Sequence, residues 1–210
     1  SETKRWVLTD EDTGTWIEDL NLTAADLGVP ESSGASLSKS VLHGGMREGV
    51  EVVQVDNGAL SFTVLPTRGM GLWRGQYAGR QIGWHSPVRG PVHPKFIHAN
   101  DRGGLGWLQG FDECIVRCGL ESNGAPCTDV LPNNMGVPTA IELGLHGRIA
   151  NLPAHYVAVE VIPGNPAEIC VTGIVDEGML FCPQFRLVTE YRTAIGSNTV
   201  RITDRVTNLG

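Results

Sequence analysis

Alternation of hydrophobic and polar positions is the clearest pattern in the chain, and it predicts β-strands. From Val50 to Leu65, two apolar-rich arms flank Asp56-Asn57-Gly58, and Asn-Gly is a strong signal for a tight turn between strands. Further strand-length runs occupy residues 155–161, 168–176, 184–193 and 199–207. Short turns between alternating runs favour antiparallel pairing over a βαβ fold, so the pattern predicts an all-β sandwich.

The first forty residues follow a different pattern. Residues 14–28 carry apolar side chains at loosely helical spacing and end at Gly28, which predicts a short N-terminal helix. Residues 30–40 are polar and rich in serine, which is typical of a linker. We therefore predict an N-terminal helix and linker over residues 1–40 and a β-sandwich over residues 41–210.

The middle of the chain, residues 66–138, has few periodic runs and is dense in Gly, Pro, Trp, His and Arg. Long loops of this composition on a β scaffold are where binding sites usually lie. We therefore expect the functional residues to come largely from this region.

Composition and charge exclude several classes of protein. The 210 residues are 41% hydrophobic and 19% charged, which fits a folded chain, and the net charge of −7 disfavours binding to nucleic acid. No apolar run is long enough to span a membrane, and the first residues lack the apolar stretch of a signal peptide. Five cysteines do not suggest a disulfide framework. We expect a cytoplasmic protein without a nucleic-acid or membrane partner.

Metal and cofactor motifs are not convincing. Neither the cysteines nor the histidines of the middle region have metal-ligand spacing: Cys114, Cys118 and Cys127 lack a second pair, and His85, His93 and His98 are too irregular. The glycine-rich segment 68–75 lacks the spacing and the following helix of a phosphate-binding loop. We therefore predict no metal and no cofactor.

A set of short motifs, taken in order, is more specific. The set comprises Leu65–Gly71 (LPTRGMG), Gly106–Glu113 (GWLQGFDE), Arg117–Leu120 (RCGL), Gly124–Pro126 (GAP) and Leu145–Ala154 (LHGRIANLPA). Together with a closing V-T-N turn at 206–208, it resembles an uncharacterised bacterial branch of the aldose 1-epimerase (galactose mutarotase-like) superfamily. The resemblance covers roughly residues 40–210 and implies the large antiparallel supersandwich of that superfamily.

The resemblance also implies a carbohydrate-active isomerase that interconverts sugar anomers by opening the ring, with a small sugar as its substrate. In the superfamily an L-H-G motif supplies a histidine to the sugar, and Leu145-His146-Gly147 matches it. Ring opening needs a base for the anomeric hydroxyl and an acid for the ring oxygen, and an imidazole titrates near neutrality. We therefore predict His146 as the catalytic residue, in the acid or a supporting role.

The motif region also supplies candidates for holding the sugar. Guanidinium groups bind hydroxyls and carboxylates, carboxylates accept hydroxyl hydrogens, and aromatic rings stack on the apolar face of a sugar. The predicted substrate-binding residues are Arg68, Trp84, Asp112, Glu113, Arg117 and Arg148, and Trp107 is a second candidate for stacking.

The chain also departs from the superfamily. The Asn-Arg pair that precedes L-H-G in familiar epimerases is absent, and their second catalytic His, an Asp and the Glu base lie beyond the V-T-N turn. The sequence thus predicts the N-terminal part of the supersandwich, with exposed sheet edges that favour association between copies. Two alternatives stay open: a non-catalytic carbohydrate-binding protein on the same fold, and an isomerase of an acidic or modified sugar.

Overall fold

Among residues 2–210, which the computed structural model describes, fourteen strands form two six-stranded antiparallel sheets and a two-stranded arm. In spatial order, the first sheet contains β14 (Arg201–Asn208), β13 (Phe185–Ala194), β12 (Glu168–Glu177), β11 (Tyr156–Ile162), β1 (Lys4–Asp10) and β2 (Thr15–Trp16). The second sheet contains β3 (Leu20–Leu22), β4 (Ser36–Val41), β5 (Glu51–Asp56), β6 (Leu60–Leu65), β7 (Gly71–Tyr77) and β8 (Arg80–Ile82). The arm pairs β9 (Cys127–Pro132) with β10 (Pro138–Leu143).

The predicted sandwich is confirmed, because both sheets contribute to one hydrophobic core. Alternate residues of β5 and β6, such as Val55 and Phe62, meet alternate residues of β11 and β13, such as Val159 and Tyr191. The ring centroids of Phe62 and Tyr191 are 6.1 Å apart. The alternation that predicted the strands therefore separates side chains that face the core from side chains that face solvent.

The predicted strands agree closely with the observed ones, but the predicted helix is largely wrong. Residues 14–28 contain β2, β3 and only one helical turn, α1 (Ala24–Leu27), which Thr23 caps at its start and Gly28 at its end. The polar stretch assigned to a linker contains β4. Pairing with β1 and β4 therefore overrides the helical spacing, and residues 4–41 supply strands to both sheets.

The segment between β7 and β11 is dominated by loops; the loop-rich region predicted at residues 66–138 overlaps it but also contains β7. The segment contains the exposed arm, the kinked turn α2 (Asp101–Gly104), and short 3₁₀ turns at Pro94–Phe96, Gly106–Gly110 and Ile149–Asn151. No helix among residues 2–210 is long and apolar enough to cross a membrane. The loops of this segment carry most of the residues that the sequence marked for function.

Asn57, in the turn between β5 and β6, joins the two sheets. Its buried amide nitrogen donates to Thr193 Oγ1 (2.7 Å) and to the carbonyl oxygens of Ala194 (3.0 Å) and Ser197 (2.9 Å). Its Oδ1 accepts from the backbone of the Asn57 turn itself, at Ala59 and Leu60. One side chain thus closes its own hairpin and fixes it to the end of β13.

Replacing Asn57 by alanine is expected to lower the free energy of unfolding by about 3 kcal/mol, because several buried polar groups lose their partners at once. Urea unfolding followed by circular dichroism measures the change. The exposed Asn198→Ala variant is the control, with an expected change within about 0.5 kcal/mol. Equal effects in the two variants would contradict the bridging role.

Candidate functional site

His146 lies in a tight turn between β10 and the 3₁₀ turn at Ile149–Asn151. Its N–H donates to Gly124 O and its C=O accepts from Gly119 N, each at 2.9 Å. His146 has a positive φ of 54°, and Gly147 follows at 71°. A Cβ on Gly147 would collide with the carbonyl oxygens of Gly119 and Ser122, so the turn requires glycine after His146.

Two neighbours hold the imidazole of His146. Its Nδ1 lies 3.2 Å from Asn123 Oδ1, and the indole of Trp107 packs against it edge-on, with ring centroids 4.9 Å apart and planes at 74°. Because an amide oxygen only accepts hydrogen bonds, Nδ1 carries the hydrogen in this pair. In the neutral ring, Nε2 is therefore the nitrogen with the free lone pair.

Trp107 belongs to a row of aromatic rings that ends at His146. The centroids of Trp84 and Phe111 are 4.9 Å apart, and those of Phe111 and Trp107 are 5.2 Å apart. Trp107 is 5% exposed and its buried indole N–H has no hydrogen-bond partner among the described residues, whereas Trp84 is 43% exposed. Of the two predicted stacking residues, Trp84 therefore presents its ring to solvent, and Trp107 supports His146 from inside.

Arg68 and Glu113, both predicted to bind substrate, form an ion pair inside the protein. Each is 1% exposed, and Arg68 Nε donates to Glu113 Oε1. Arg68 Nη1 donates further to Val92 O (3.1 Å) and Asn151 Oδ1 (3.0 Å). Arg68 lies in the turn directly after β6, and its three partners, Glu113, Val92 and Asn151, lie in the loops around the aromatic row. These contacts therefore fix those loops to the second sheet.

Asp112 is half-buried beside this pair. Its Oδ2 accepts from the indole N–H of Trp73 at 2.8 Å, and the backbone N–H of Asp112 donates to Glu113 Oε2. Burial raises the pKa of the Asp112 carboxyl above its ordinary value, and the hydrogen bond from Trp73 works in the opposite direction. The carboxyl therefore already has a protein donor on one oxygen.

Arg117 lies at the inner face of β13 and β14. Its Nη1 donates to Asp204 Oδ2 at 2.7 Å, and its Nη2 donates to Thr189 Oγ1 and Tyr191 Oη, each at 3.2 Å. Tyr191 in turn donates to Met70 O at 2.6 Å. Arg117 is 8% exposed, so this predicted sugar-binding residue ties its loop, which contacts the His146 turn through Gly119, onto the first sheet.

Arg148 is exposed next to a buried carboxylate that the sequence did not single out. Glu177 accepts the backbone N–H groups of Leu120 and Glu121, each at 3.0 Å. Arg148 Nη2 lies 3.6 Å from Glu121 Oε2 and 3.9 Å from Glu177 Oε1. Among the predicted arginines, Arg148 thus has the most accessible guanidinium and lies two residues from His146.

Metal-ligand clusters do not occur in the described part of the chain: no three His, Cys, Asp or Glu side chains are close enough to share a metal ion. His93 instead caps the turn Pro94–Phe96, with its Nδ1 accepting from Lys95 N at 3.1 Å. The five cysteines are free thiols, and burial raises the pKa of Cys118.

The buried hydroxyl of Tyr191 gives the network around Arg117 a measurable signature. Burial raises the pKa of Tyr191 to about 12, against the opposing charge of Arg117. The difference in absorbance at 295 nm between wild type and Tyr191→Phe should therefore titrate near pH 12 in the folded protein and near pH 10 in urea. A midpoint near 10 in native buffer would contradict the burial.

The same shift has a consequence for stability. The folded chain holds the Tyr191 proton more tightly than the unfolded chain does, so above pH 10 only the unfolded state readily releases it. The contribution to the free energy of unfolding is therefore fully present below pH 10 and declines as the pH rises toward 12. Tyr191→Phe removes this part of the pH dependence.

The two packed antiparallel sheets match the fold of a solved protein of the aldose 1-epimerase type, as comparison with known proteins shows. The model of the family described as "Domain of unknown function (DUF4432)" matches residues 47–210, and the chain belongs to this family. A crystal structure of a "putative aldose 1-epimerase" from Klebsiella pneumoniae subsp. pneumoniae MGH 78578 matches with a TM-score of 0.86 and 36% identity. The match covers 100% of this chain and 52% of that one, so the chain spans about half the length of the solved relative. No curated protein matches.

The predicted resemblance to an epimerase-like branch is thus confirmed. The residues that sequence reasoning missed are Asn123 and Glu177, because nothing in a single sequence pairs them with their partners. Asn123 is 23 positions from His146, and Glu177 is 57 and 56 positions from the two N–H groups it accepts. The G-A-P motif directly after Asn123 was the one signal near either residue.

Proposed function

We propose that the chain supplies the L-H-G half of a sugar site of the aldose 1-epimerase type, with His146 transferring a proton to and from the sugar. The observation that carries the proposal is the environment of the imidazole. Asn123 engages Nδ1 and Trp107 packs against the ring, so Nε2 is left for the substrate. Supporting residues that fix one tautomer and one ring orientation are typical of a catalytic histidine.

The chemistry required is the interconversion of anomers through the open-chain sugar. A base takes the proton of the anomeric hydroxyl, the C1–O5 bond breaks, and O5 receives a proton as C1 becomes a carbonyl. Protonated His146 donates this proton from Nε2, while its Nδ1–H remains hydrogen-bonded to Asn123 Oδ1. Rotation about C1–C2 and the reverse steps close the ring on the other face, and Nε2 recovers its proton.

The comparisons support the sugar as substrate. The solved relative is described as a "putative aldose 1-epimerase", and the match covers 100% of this chain at 36% identity. The accessible residues near His146 suit a sugar as well, since the exposed guanidinium of Arg148 donates to hydroxyl oxygens. Arg68, Glu113 and Arg117 act in this proposal by positioning loops, because their polar atoms already bind protein groups.

A second candidate is a carbohydrate-binding protein without catalysis. It is favoured because the carboxylates near the turn already have protein partners: Glu177 accepts two backbone N–H groups, and Glu121 lies beside Arg148. No ion pair within residues 2–210 involves His146. A site with Nε2 and Arg148 and no base can bind a sugar without opening its ring.

Proton NMR of freshly dissolved single anomers separates the candidates. Galactose, glucose and galacturonate are each followed from the pure α-anomer, with buffer and heat-unfolded protein as controls. Faster approach to the anomeric equilibrium with the folded protein is the expected result. Line broadening without acceleration would establish the binding protein, and the absence of both effects for all three sugars would contradict the proposed function.

A further inference from the structure

The outer face of the second sheet, opposite the sandwich core, carries two rows of polar side chains. Strand register places Gln54, Thr63 and Arg74 side by side on β5, β6 and β7. The next row is Ser61, Gln76 and Gln81 on β6, β7 and β8. These side chains line a cavity of about 280 Å³, so the rows form a concave and not a flat surface.

A second cavity, which shares two lining residues with the first, contains aromatic and cationic groups. Arg74 and Gln81 line both, and the second cavity, of about 200 Å³, adds Trp84, His85 and Arg89. Arg89 also lines a third cavity, of about 350 Å³, together with Arg47. We call the surface formed by these three neighbouring cavities the arginine groove; its defining residues are Arg47, Arg74, Gln81, Trp84, His85 and Arg89.

Trp84, the aromatic residue of the arginine groove, is held in place by the residues beneath it. The indole N–H of Trp84 donates to Glu113 O at 3.1 Å, and the ring packs on Phe111. The guanidinium of Arg74 lies 3.9 Å from the ring centroid of Trp73, whose own N–H is bound to Asp112. A 43% exposed tryptophan fixed in this way is an ordered platform and not a mobile surface side chain.

The charge of the arginine groove contrasts with that of the whole chain. The protein carries a net charge of −7, yet Arg74 and Arg89 line the second cavity together, and Arg47 and Arg89 line the third. Within residues 2–210, none of these three has a carboxylate oxygen within 4.0 Å. Asp112 also lines the second cavity, and its carboxylate, which accepts from Trp73, offsets part of the charge of Arg74 and Arg89. Two guanidinium groups and one carboxylate leave the second cavity with a net positive charge beside an aromatic platform, which suits an anion attached to a ring-shaped, partly apolar ligand.

We propose that the arginine groove is a second binding site, which takes a sugar bearing an acidic group. Arg74 and Arg89 bind the carboxylate or phosphate, the ring of Trp84 stacks on the apolar face of the sugar, and the amide and hydroxyl rows bind its hydroxyls. The site uses different residues from the His146 turn and does not depend on catalysis there.

Isothermal titration tests the site with galacturonate, galactose 6-phosphate and galactose. We expect one or both acidic sugars to bind at least tenfold more tightly than galactose, and Arg74→Ala/Arg89→Ala to weaken that binding at least tenfold. Arg80→Ala is the matched control, because Arg80 is an exposed arginine on β8 outside the groove. Preference between the two acidic sugars identifies the anion as carboxylate or phosphate.

Trp84→Ala provides a second arm that leaves every charge in place, and its expected loss of affinity is about tenfold, because the variant removes the aromatic surface on which the sugar stacks. Equal binding of acidic sugars to wild type and the double arginine variant would overturn the proposal. Loss of that binding in His146→Ala with retention in the double variant would also overturn it, by placing the acidic sugar at the L-H-G turn. Matched melting temperatures confirm that the variants are folded.

Discussion

Replacing His146 by alanine is expected to reduce the acceleration of sugar anomerisation by about 10²- to 10⁴-fold, the usual contribution of a general acid–base group. The variant removes the only nitrogen that the Asn123 contact leaves free for proton transfer. The rate is measured by proton NMR from a single anomer, at several pH values. We expect the wild-type protein to accelerate anomerisation at each pH and the variant to lose most of that acceleration.

Two further variants separate catalysis from structure. His98→Ala removes an exposed imidazole from a neighbouring loop and should leave the rate unchanged. Asn123→Leu keeps the imidazole but frees Nδ1, and a loss of about tenfold is expected, in line with one hydrogen bond of about 1.4 kcal/mol. A His146→Ala protein that anomerises sugars as fast as wild type would remove His146 from the reaction.

Replacing Glu113 by alanine is expected to lower the free energy of unfolding by about 3–5 kcal/mol, because it leaves the Arg68 guanidinium buried without its counter-charge. Arg68 would keep only the neutral oxygens of Val92 and Asn151 as acceptors. The loss is large because both side chains are 1% exposed, and water cannot replace the missing carboxylate.

Urea unfolding with circular dichroism measures this loss. The exposed ion pair between Arg186 and Asp176 is the natural control, since its side chains are about 40% exposed. Removing Asp176 should cost no more than about 1 kcal/mol. If Glu113→Ala and Asp176→Ala had the same small effect, the pair of Arg68 with Glu113 would not hold the loops as the contacts indicate.

The sequence predicted most of the fold because its strands obey local rules. Alternation identified β5, β6 and the four strands of the last third to within about two residues, and Asn57-Gly58 marked the turn of the first hairpin. The helix over residues 14–28 failed for a non-local reason. Leu20 and Leu22 fit a helical face or a strand face equally well, and pairing with β4 decides for the strand.

The site was only partly predictable from the sequence. The L-H-G motif marked His146, and the structure explains its glycine by the collision that any Cβ at 147 would make. The roles of Arg68 and Glu113 depend on a contact between residues 45 positions apart, and a single sequence carries no signal for such a pair. The arginine groove is similar, because it is assembled across four strands and two loops whose register only the fold reveals.

The proton on His146 tests the central claim most directly. Long-range ¹H–¹⁵N spectra of the ¹⁵N-histidine-labelled protein, with the signals assigned through His146→Gln, report both ring nitrogens while galactose is added. The account predicts that Nδ1 carries the hydrogen in the neutral ring and that only the Nε2 signal responds to the sugar. A hydrogen on Nε2 in the neutral ring, or no response of either nitrogen to saturating galactose, would contradict it.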